Sequence, residues 1–422
     1  MIVQTTARRQ RGIAALIVTL SLFFALVLTA VFVNRNLLVE QHSAANHDRA
    51  TQAFEAAEAG LEWALAQLNN PQRLGADCTV SAGAGAAAFR ARHLRVDTRS
   101  GRLTPIEWAA AGSTRPLRAS CIRSGDAWAC SCPTDAEPSL PIAPGSTAAP
   151  SFSIEFATAQ RPGVVRIVAT ACSRGVSLCT ADGNDRNDAT ARVEMSVALV
   201  PALRTPPAAA LTARGVVAST AAFAAHNADP ESGIAIHAGG TIAVPAARLT
   251  TPAGTSLTDA LLPNDASLSG RTPAQFFEGH FGLGKADWSA QPGVTRLDCS
   301  VDCVPALLRA VDAAGTPALI RVDGDLVLSG PITLGTLERP VVLVVSGAVR
   351  FSDAVRFHGV LHAGSLSWAT PAGGALLRGA LLSEAGYGGD GTPALVYDRA
   401  VLATLQRASG SFVRVSGSWR DF

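Results

Sequence analysis

The chain is poor in charge and in lysine. Charged residues make up 16% of its 422 positions, the formal net charge is +2, and Lys285 is the single lysine. Nucleic-acid binding calls for clustered Lys and Arg opposite the phosphates, so no nucleic-acid partner is predicted. We interpret the scarcity of lysine as a consequence of genome composition and not as evidence of a functional site. An apolar fraction of 48% excludes a disordered chain.

Long hydrophobic runs are also scarce, which excludes a membrane protein with several spans. The one long run, residues 13–33, is 21 residues without a charge, and about 20 suffice to cross a bilayer as a helix. Arg8, Arg9 and Arg11 precede it, so the positive-inside rule places the N-terminus in the cytoplasm. We therefore predict a single-pass inner-membrane protein with a periplasmic body. The predicted membrane or filament-core residues include Ile13, Ile17, Phe23, Phe24 and Val33.

No Cys-x-x-Cys pair is present, and no histidine lies near a cysteine cluster, which argues against a metal site. An even number of cysteines in an exported chain predicts disulfides instead. Cys172 with Cys179 and Cys299 with Cys303 are natural local pairs. The other four cysteines are Cys78, Cys121, Cys130 and Cys132, and they allow three connectivities. A bond between the closely spaced Cys130 and Cys132 is disfavoured.

Proline is absent from residues 36–69, and Gly60 is the only glycine there. Apolar residues recur at steps of three and four, which predicts one apolar stripe of a helix that Pro71 ends. The membrane helix would then continue to residue 69 as a rod of about 85 Å. A single-pass anchor followed by a separate juxtamembrane helix is the alternative. The predicted packing face comprises Phe54, Ala57, Leu61 and Leu68.

Residues 11–17 (RGIAALI) and 53–61 (AFEAAEAGL) resemble the N-terminal region of PilX-type minor pilins. The resemblance implies a basic leader, residues 1–12, that a prepilin peptidase removes between Gly12 and Ile13 before methylating the new N-terminus. It also implies partners: other minor and major pilins, and a PilY-type tip adhesin. Pilus assembly, adhesion and twitching motility are the processes in which such subunits take part.

One position departs from the pattern of major pilins. They carry a glutamate at the fifth mature position, where this chain has Ile17. A subunit at the tip of a filament, or in the complex that initiates it, would not need that charge. A minor pseudopilin of type II secretion is the first alternative, because such pseudopilins also lack the glutamate.

The predicted fold class is α+β. After the helix of residues 13–70, residues 71–200 predict an antiparallel pilin-like sheet, with its clearest strands at 151–158, 164–171 and 191–200. Residues 201–208 predict a stiff linker. Residues 209–422 predict an all-β domain, in which Gly-x-apolar-x-apolar recurs at Gly240, Gly324, Gly347 and Gly364. Short strands at about 20-residue intervals favour a parallel β-helix or solenoid, with a β-sandwich as the alternative.

Within this body, residues 263–308 interrupt the repeats and contain a predicted helix at 273–281. A second short helix near 397–402 is predicted to cap the stack. Residues 417–422 resemble the tails of long PilX-like proteins. Acidic residues between 182 and 188 could hold calcium, but their spacing fails the pattern of known calcium loops.

No catalytic constellation is evident, so neither an enzyme nor a cofactor is predicted. A nucleophile elbow and a phosphate-binding loop are both missing. His358 and His362 are four apart, but we predict that they share the face of a strand and serve a structural role. Carboxylates are scattered through the second half of the chain, at Asp323, Asp325, Asp353 and Glu384. A membrane-anchored β-helix that binds or degrades carbohydrate is the second alternative.

Overall fold

The computed structural model describes residues 11–110, 112–142, 149–179, 189–221, 223–245, 248–300, 302–369 and 374–422. Most of the predicted leader, residues 1–10, and the acidic loop at 182–188 lie outside the described residues. The fold is α+β, as predicted, and consists of a long helix, an antiparallel sheet and a stack of parallel strands.

The long helix α1 spans Arg11–Asn69 without interruption. Its continuity follows from the absence of proline, and Pro71 stands just beyond its end. The helix therefore runs from the apolar segment into the body of the protein, as the periodicity predicted.

The antiparallel domain, which we call the head, comprises the described residues of 70–201 together with 410–422. Its elements are β1 (Arg73–Leu74), β2 (Ala87–Ala88), α2 (Phe89–His93), β3 (Leu94–Val96), β4 (Leu103–Pro105), β5 (Glu107–Ala110), β6 (Ser113–Pro116), β7 (Ala119–Ser124), β8 (Ala127–Ser131), β9 (Ser151–Thr158), β10 (Val164–Cys172), β11 (Thr190–Pro201), β30 (Gly410–Arg414) and β31 (Arg420–Asp421). The main sheet of the head has the order β30-β11-β10-β9-β7-β8, and α1 packs across one face of it.

The end of the chain belongs to the head, so the predicted boundary of 209–422 for the second domain is wrong at its C-terminal side. β30 pairs antiparallel with β11, with Leu199 opposite Phe412, and β31 pairs with the same strand further along. One edge of β11 pairs with β10, and β30 satisfies the hydrogen-bonding groups of the opposite edge. A strand of five residues carries too little alternation to reveal this from sequence.

The second domain is a solenoid of parallel strands, which confirms one of the two predicted architectures. Every pair in its two sheets is parallel, unlike the antiparallel sheets of a β-sandwich. Its first strands are β12 (Ala209–Ala213), β13 (Val217–Ala218), β14 (Ala224–His226), β15 (Ile234–Ala238), β16 (Ile242–Ala243), β17 (Leu249–Thr250) and β18 (Leu261–Leu262). The later strands are β19 (Val294–Asp298), β20 (Ala318–Asp323), β21 (Leu326–Ser329), β22 (Thr333–Leu334), β23 (Val341–Val345), β24 (Ala348–Ser352), β25 (Arg356–Ala363), β26 (Ser365–Ala369), β27 (Leu376–Ser383), β28 (Tyr387–Gly389) and β29 (Ala394–Tyr397).

The coils are stacked in an order that differs from the order of the chain. Along one face the strands follow β19-β20-β23-β25-β27-β12-β15-β18. The first part of the domain, residues 209–262, therefore continues the stack that residues 294–397 begin. Residues 263–293 must cross from one end of the stack to the other, and this explains the interruption of the glycine repeats.

The crossover carries three short helices, α3 (Ala266–Ser269), α4 (Pro273–Phe281) and α5 (Lys285–Ser289). The predicted helix at 273–281 is confirmed as α4, with a capping box between Thr272 and Gln275. The side chains of Phe276, Phe277 and Trp288 pack on the outward residues of β23 and β25. The other residues of β23, Val341, Leu343 and Val345, face the solenoid interior. β23 is therefore buried on both faces.

Two further helices complete the domain. α6 (Val304–Ala313) follows the Cys299–Cys303 disulfide and buries Leu307 in the solenoid interior. α7 (Arg399–Ala408) packs along β25 and β27, on the same outer face as α4, so the prediction that it caps the stack is wrong. Residues 201–208, which were predicted to form a stiff linker, include two core residues. Ala202 and Leu203 are fully buried beside α4 and α7.

Candidate membrane and assembly site

The N-terminal part of α1 presents a wide apolar surface on which none of the residues that the structure describes is packed. The exposed fractions of Ile13, Ile17, Phe23, Phe24 and Val33 range from 55% to 67%. The helix Gly12–Asn69 is long and apolar enough to cross a membrane, with a mean hydropathy of 2.8 in its most apolar window. It is compatible with a single-pass membrane anchor, although a signal sequence near an N-terminus has the same character.

The hydroxyl groups of this segment are satisfied inside the helix. Thr19 donates to the carbonyl of Ala15 at 3.0 Å, and Ser21 donates to that of Ile17 at 2.8 Å. Thr29 likewise donates to a carbonyl one turn earlier. Back-bonding of this kind leaves no polar group of residues 13–33 dependent on water, which suits an apolar surrounding.

The C-terminal part of α1 is buried under the head. Three members of the predicted packing face, Ala57, Leu61 and Leu68, are at most 2% exposed, and Phe54 is half-buried with its ring 6.3 Å from that of Trp419. Ala64, a further member of the predicted stripe, is fully buried as well. The prediction omitted three small residues that are also buried against the head, namely Ala53, Ala56 and Gly60.

α1 and the sheet approach each other closely at Gly60. A Cβ placed there would lie 3.0 Å from the ring of Phe152 and 3.2 Å from Ile154. On the next turn Trp63 contacts Phe152 and Phe89 with ring centroids 5.8 Å and 5.3 Å apart. A helix with small residues facing the sheet lets large aromatic residues of the sheet fill the space.

The last turn of α1 holds the C-terminal strand of the chain. The Asn69 side-chain amide donates to the carbonyl oxygen of Phe412 at 2.9 Å, and the Phe412 amide donates to the Asn69 side-chain oxygen at 2.7 Å. Two turns earlier Glu62 forms an ion pair with Arg414. The helix, β30 and β11 are thereby fixed to one another, and no signal in a single sequence identifies a pairing across 343 residues.

Four disulfides stabilise the body, and no described cysteine is free. The two predicted local bonds, Cys172–Cys179 and Cys299–Cys303, are present. Of the three connectivities left open, the structure has Cys78–Cys132 and Cys121–Cys130. The second of these joins residues directly opposite on β7 and β8. The first ties the loop between β1 and β2 to the residue that follows β8.

The single lysine belongs to a buried polar cluster, so interpreting it as a mere habit of composition missed a structural role. Lys285 of α5 forms an ion pair with Glu384, and Nε2 of His362 lies 3.2 Å from the same carboxylate oxygen. Burial lowers the pKa of His362, so the imidazole stays neutral among the rings of Phe276, Phe277 and Phe281. The cluster fixes the crossover to β25 and β27.

Both histidines lie on the outer side of β25, as the alternation of a strand predicts. Phe357 and Leu361, which alternate with them, belong to the solenoid interior, and Gly359 between the histidines has a φ of +146°. His362 is fully buried against the phenylalanine rings, whereas His358 is partly exposed. Among the described residues no group of three or more His, Cys, Asp or Glu could hold a metal ion.

The remaining carboxylates considered for catalysis take part in separate structural contacts. Asp323 accepts a hydrogen bond from Arg321 at 2.8 Å, Asp325 accepts from the amide of Ala348, and Asp353 accepts from its neighbour in the turn. The guanidinium of Arg321 holds the pKa of Asp323 below its usual range. These groups do not converge on one site.

α1 contains the part of the chain that matches a protein-family model. Residues 11–62 match the family model of the PilX N-terminal region, and no curated protein matches the chain. The chain is similar to the crystal structure of the competence-associated pilin ComZ from Thermus thermophilus, with 13% identity and a TM-score of 0.22, over 89% of this chain and 98% of that one. A TM-score this low carries no argument about the fold. The family match establishes a type IV pilin-like N-terminal region.

Proposed function

We propose that the chain is a minor pilin-like structural subunit of a type IV pilus, located at the tip or in the complex that initiates assembly. The observation that carries the proposal is the division of α1, whose first half is apolar and exposed while its second half lies under the head. A prepilin subunit needs this design, because the same apolar surface faces lipid before assembly and neighbouring helices after it.

Processing after Gly12 is the first consequence of the proposal. A side chain at Gly12 would meet no atom within 4 Å, so a substitution there perturbs the fold little and tests processing alone. We expect the mature chain to begin at Ile13 with a methylated amine, as read from the intact N-terminal peptide by mass spectrometry. Gly12→Leu should keep its leader, whereas the matched variant Ala15→Leu should be processed. A wild-type chain that starts at Met1, or near Ala30, contradicts the proposal.

The tip position rests on Ile17 and on the size of the body. A subunit without a carboxylate at this position offers no partner to the N-terminal amine of a neighbour in the apolar filament core, where an unpaired charge is costly. The solenoid adds the described residues of 209–397 beside the head, and a bulky domain is accommodated most simply at the end of a filament. Immunogold labelling should find the protein at filament tips, and regular labelling along the shaft would refute this position.

The partners that the proposal implies are other pilins and a PilY-type tip adhesin. Deletion should reduce the number of pili and leave protein secretion intact. Loss of secretion with normal pili would assign the chain to a type II secretion pseudopilus instead.

We also propose that the solenoid binds rather than catalyses. The support is the state of its ionisable groups: His362 is neutral and enclosed by phenylalanine rings, and Glu384 is paired with Lys285. Loss of a polysaccharide-cleaving activity on deletion would contradict this part of the proposal.

A further inference from the structure

A cleft with a volume of about 330 Å³ lies where the head meets the solenoid. Its head side is largely apolar, with Leu94, Val96, Leu103, Ile106, Leu199 and Phe412 in the walls. Thr316 and Pro317 of the solenoid form the opposite side. Volumes of 300–1,000 Å³ are typical of pockets for small molecules. A water molecule occupies about 30 Å³, so the cleft has room for at least about ten non-hydrogen atoms.

A buried cation lines this apolar cleft. Arg90 is 8% exposed, and its two terminal nitrogens donate to the carbonyl of Gly410 and the hydroxyl of Thr316, each at 2.9 Å. Both acceptors are neutral, and Nε has no partner among the residues that the structure describes. Burial lowers the pKa of Arg90 to about 10, so the guanidinium remains charged at neutral pH.

Arg90 forms no ion pair with any described carboxylate. Removing a charge from water without a counter-charge is unfavourable, and proteins rarely leave a buried charge uncompensated. The exposed rim of the cleft adds two more cations, Arg95 and Arg339, and one acid, Glu338. The lining thus carries a net charge of +2, from three arginines and one glutamate.

We propose that the cleft binds a small amphiphilic carboxylate, of the class of medium-chain fatty acids, with its carboxylate beside Arg90 and its tail along the apolar wall. The chemistry of the lining selects both parts of the ligand. A singly charged carboxylate compensates the guanidinium and needs fewer donors than a phosphate. Burial of the apolar tail against this wall removes its methylene groups from water, which favours binding. A ten-carbon chain matches the size of the cleft.

The test uses the full chain in lipid nanodiscs and decanoate labelled with ¹³C at its carboxyl carbon, observed by NMR. Decanoate should bind saturably above the level of empty nanodiscs, and the pKa of its carboxyl should fall on binding. Decanol, which lacks the charge, and acetate, which lacks the tail, should each compete at least tenfold more weakly.

Three variants assign the binding to this cleft. Ala91 is exposed and lines the cleft, so Ala91→Phe fills the space without removing a core side chain and should abolish binding. Arg90→Gln should weaken binding at least tenfold, and Arg350→Gln, at an exposed position on β24, should leave it unchanged. If Arg90→Gln fails to fold, Ala91→Phe still decides.

The proposal is overturned if decanoate binds no better than to empty nanodiscs, or if Ala91→Phe binds it as tightly as the wild type. It is also overturned if acetate or decanol competes as well as decanoate, because the site would then recognise only an anion or only an apolar chain.

Discussion

The two halves of α1 belong to one unbroken helix and differ in the size of the side chains that they present. Residues 13–33 expose large aliphatic and aromatic groups, whereas the buried stripe from 53 to 64 consists mainly of alanine and glycine. Small residues allow the sheet to approach the helix axis, so Phe152 and Trp63 fill the interface. Large residues instead present apolar area to lipid or to neighbouring helices. Each Å² of this area that is removed from water contributes about 25 cal/mol of favourable free energy. Side-chain size, more than apolar character, distinguishes the half that meets the head.

The largest expected effect comes from the same truncation made in each half. Leu61 is 2% exposed and Leu26 is 67% exposed. Leu61→Ala should destabilise the head by about 2–5 kcal/mol, because it removes transfer energy and leaves a cavity. Leu26→Ala should change the stability of the head by less than about 0.5 kcal/mol. Hydrogen exchange of β10 in detergent micelles, read by mass spectrometry, measures both, and equal losses would mean that the two halves are not distinct.

The second effect concerns the close approach at Gly60. Gly60→Leu adds a side chain where a Cβ alone already lies 3.0 Å from the Phe152 ring, so overpacking should cost about 1–3 kcal/mol. Near-ultraviolet circular dichroism and the exchange of β9 should report the displaced ring. The control is Ala25→Leu in the exposed half, which should be neutral. A stable Gly60→Leu variant would show that the sheet can move away from the helix.

The halves of α1 also show what a sequence can reveal. The helix, the stripe and the two local disulfides follow from spacings of a few residues, which is the range over which periodicity carries information. The sequence analysis missed the contributions of Gly60, Ala53 and Ala56. A small residue such as alanine is common in helices because it favours the helical conformation, so its presence does not by itself indicate a packing contact. A clue was present: Gly60 is the only glycine of the helix beyond the apolar segment.

The sequence did not predict the contacts between elements that are far apart in the chain. The pairing of β30 with β11 and the permuted order of the solenoid depend on contacts between strands that are far apart in the chain, and each strand alone carries only a weak alternation. The Lys285–Glu384 pair was missed for the same reason, since 99 positions separate its members (384 minus 285). Buried polar partners are found by geometry, and no local pattern marks them.

The third effect concerns the end of the buried half. Asn69→Ala leaves both the amide and the carbonyl of Phe412 without their partners in a buried setting. Each unsatisfied group costs about 1–3 kcal/mol, less whatever water recovers. We expect a loss of about 2 kcal/mol and faster exchange at β30. Asn70→Ala is the matched control, because Asn70 is adjacent but does not contact β30 in the contacts described. Unchanged exchange at β30 in Asn69→Ala would show that β11 alone holds this strand.

The smallest effect is expected from the ion pair between Glu62 and Arg414, although it joins the same two elements. Both side chains are more than half exposed, at 56% and 55%, so water and salt screen their attraction. Glu62→Gln should cost at most about 0.5 kcal/mol, and 1 M salt should abolish the difference from the wild type. Glu58→Gln, on the exposed side of α1, is the control. A loss as large as that of Asn69→Ala would mean that charge, rather than the buried amide, fixes the C-terminal strand to the helix.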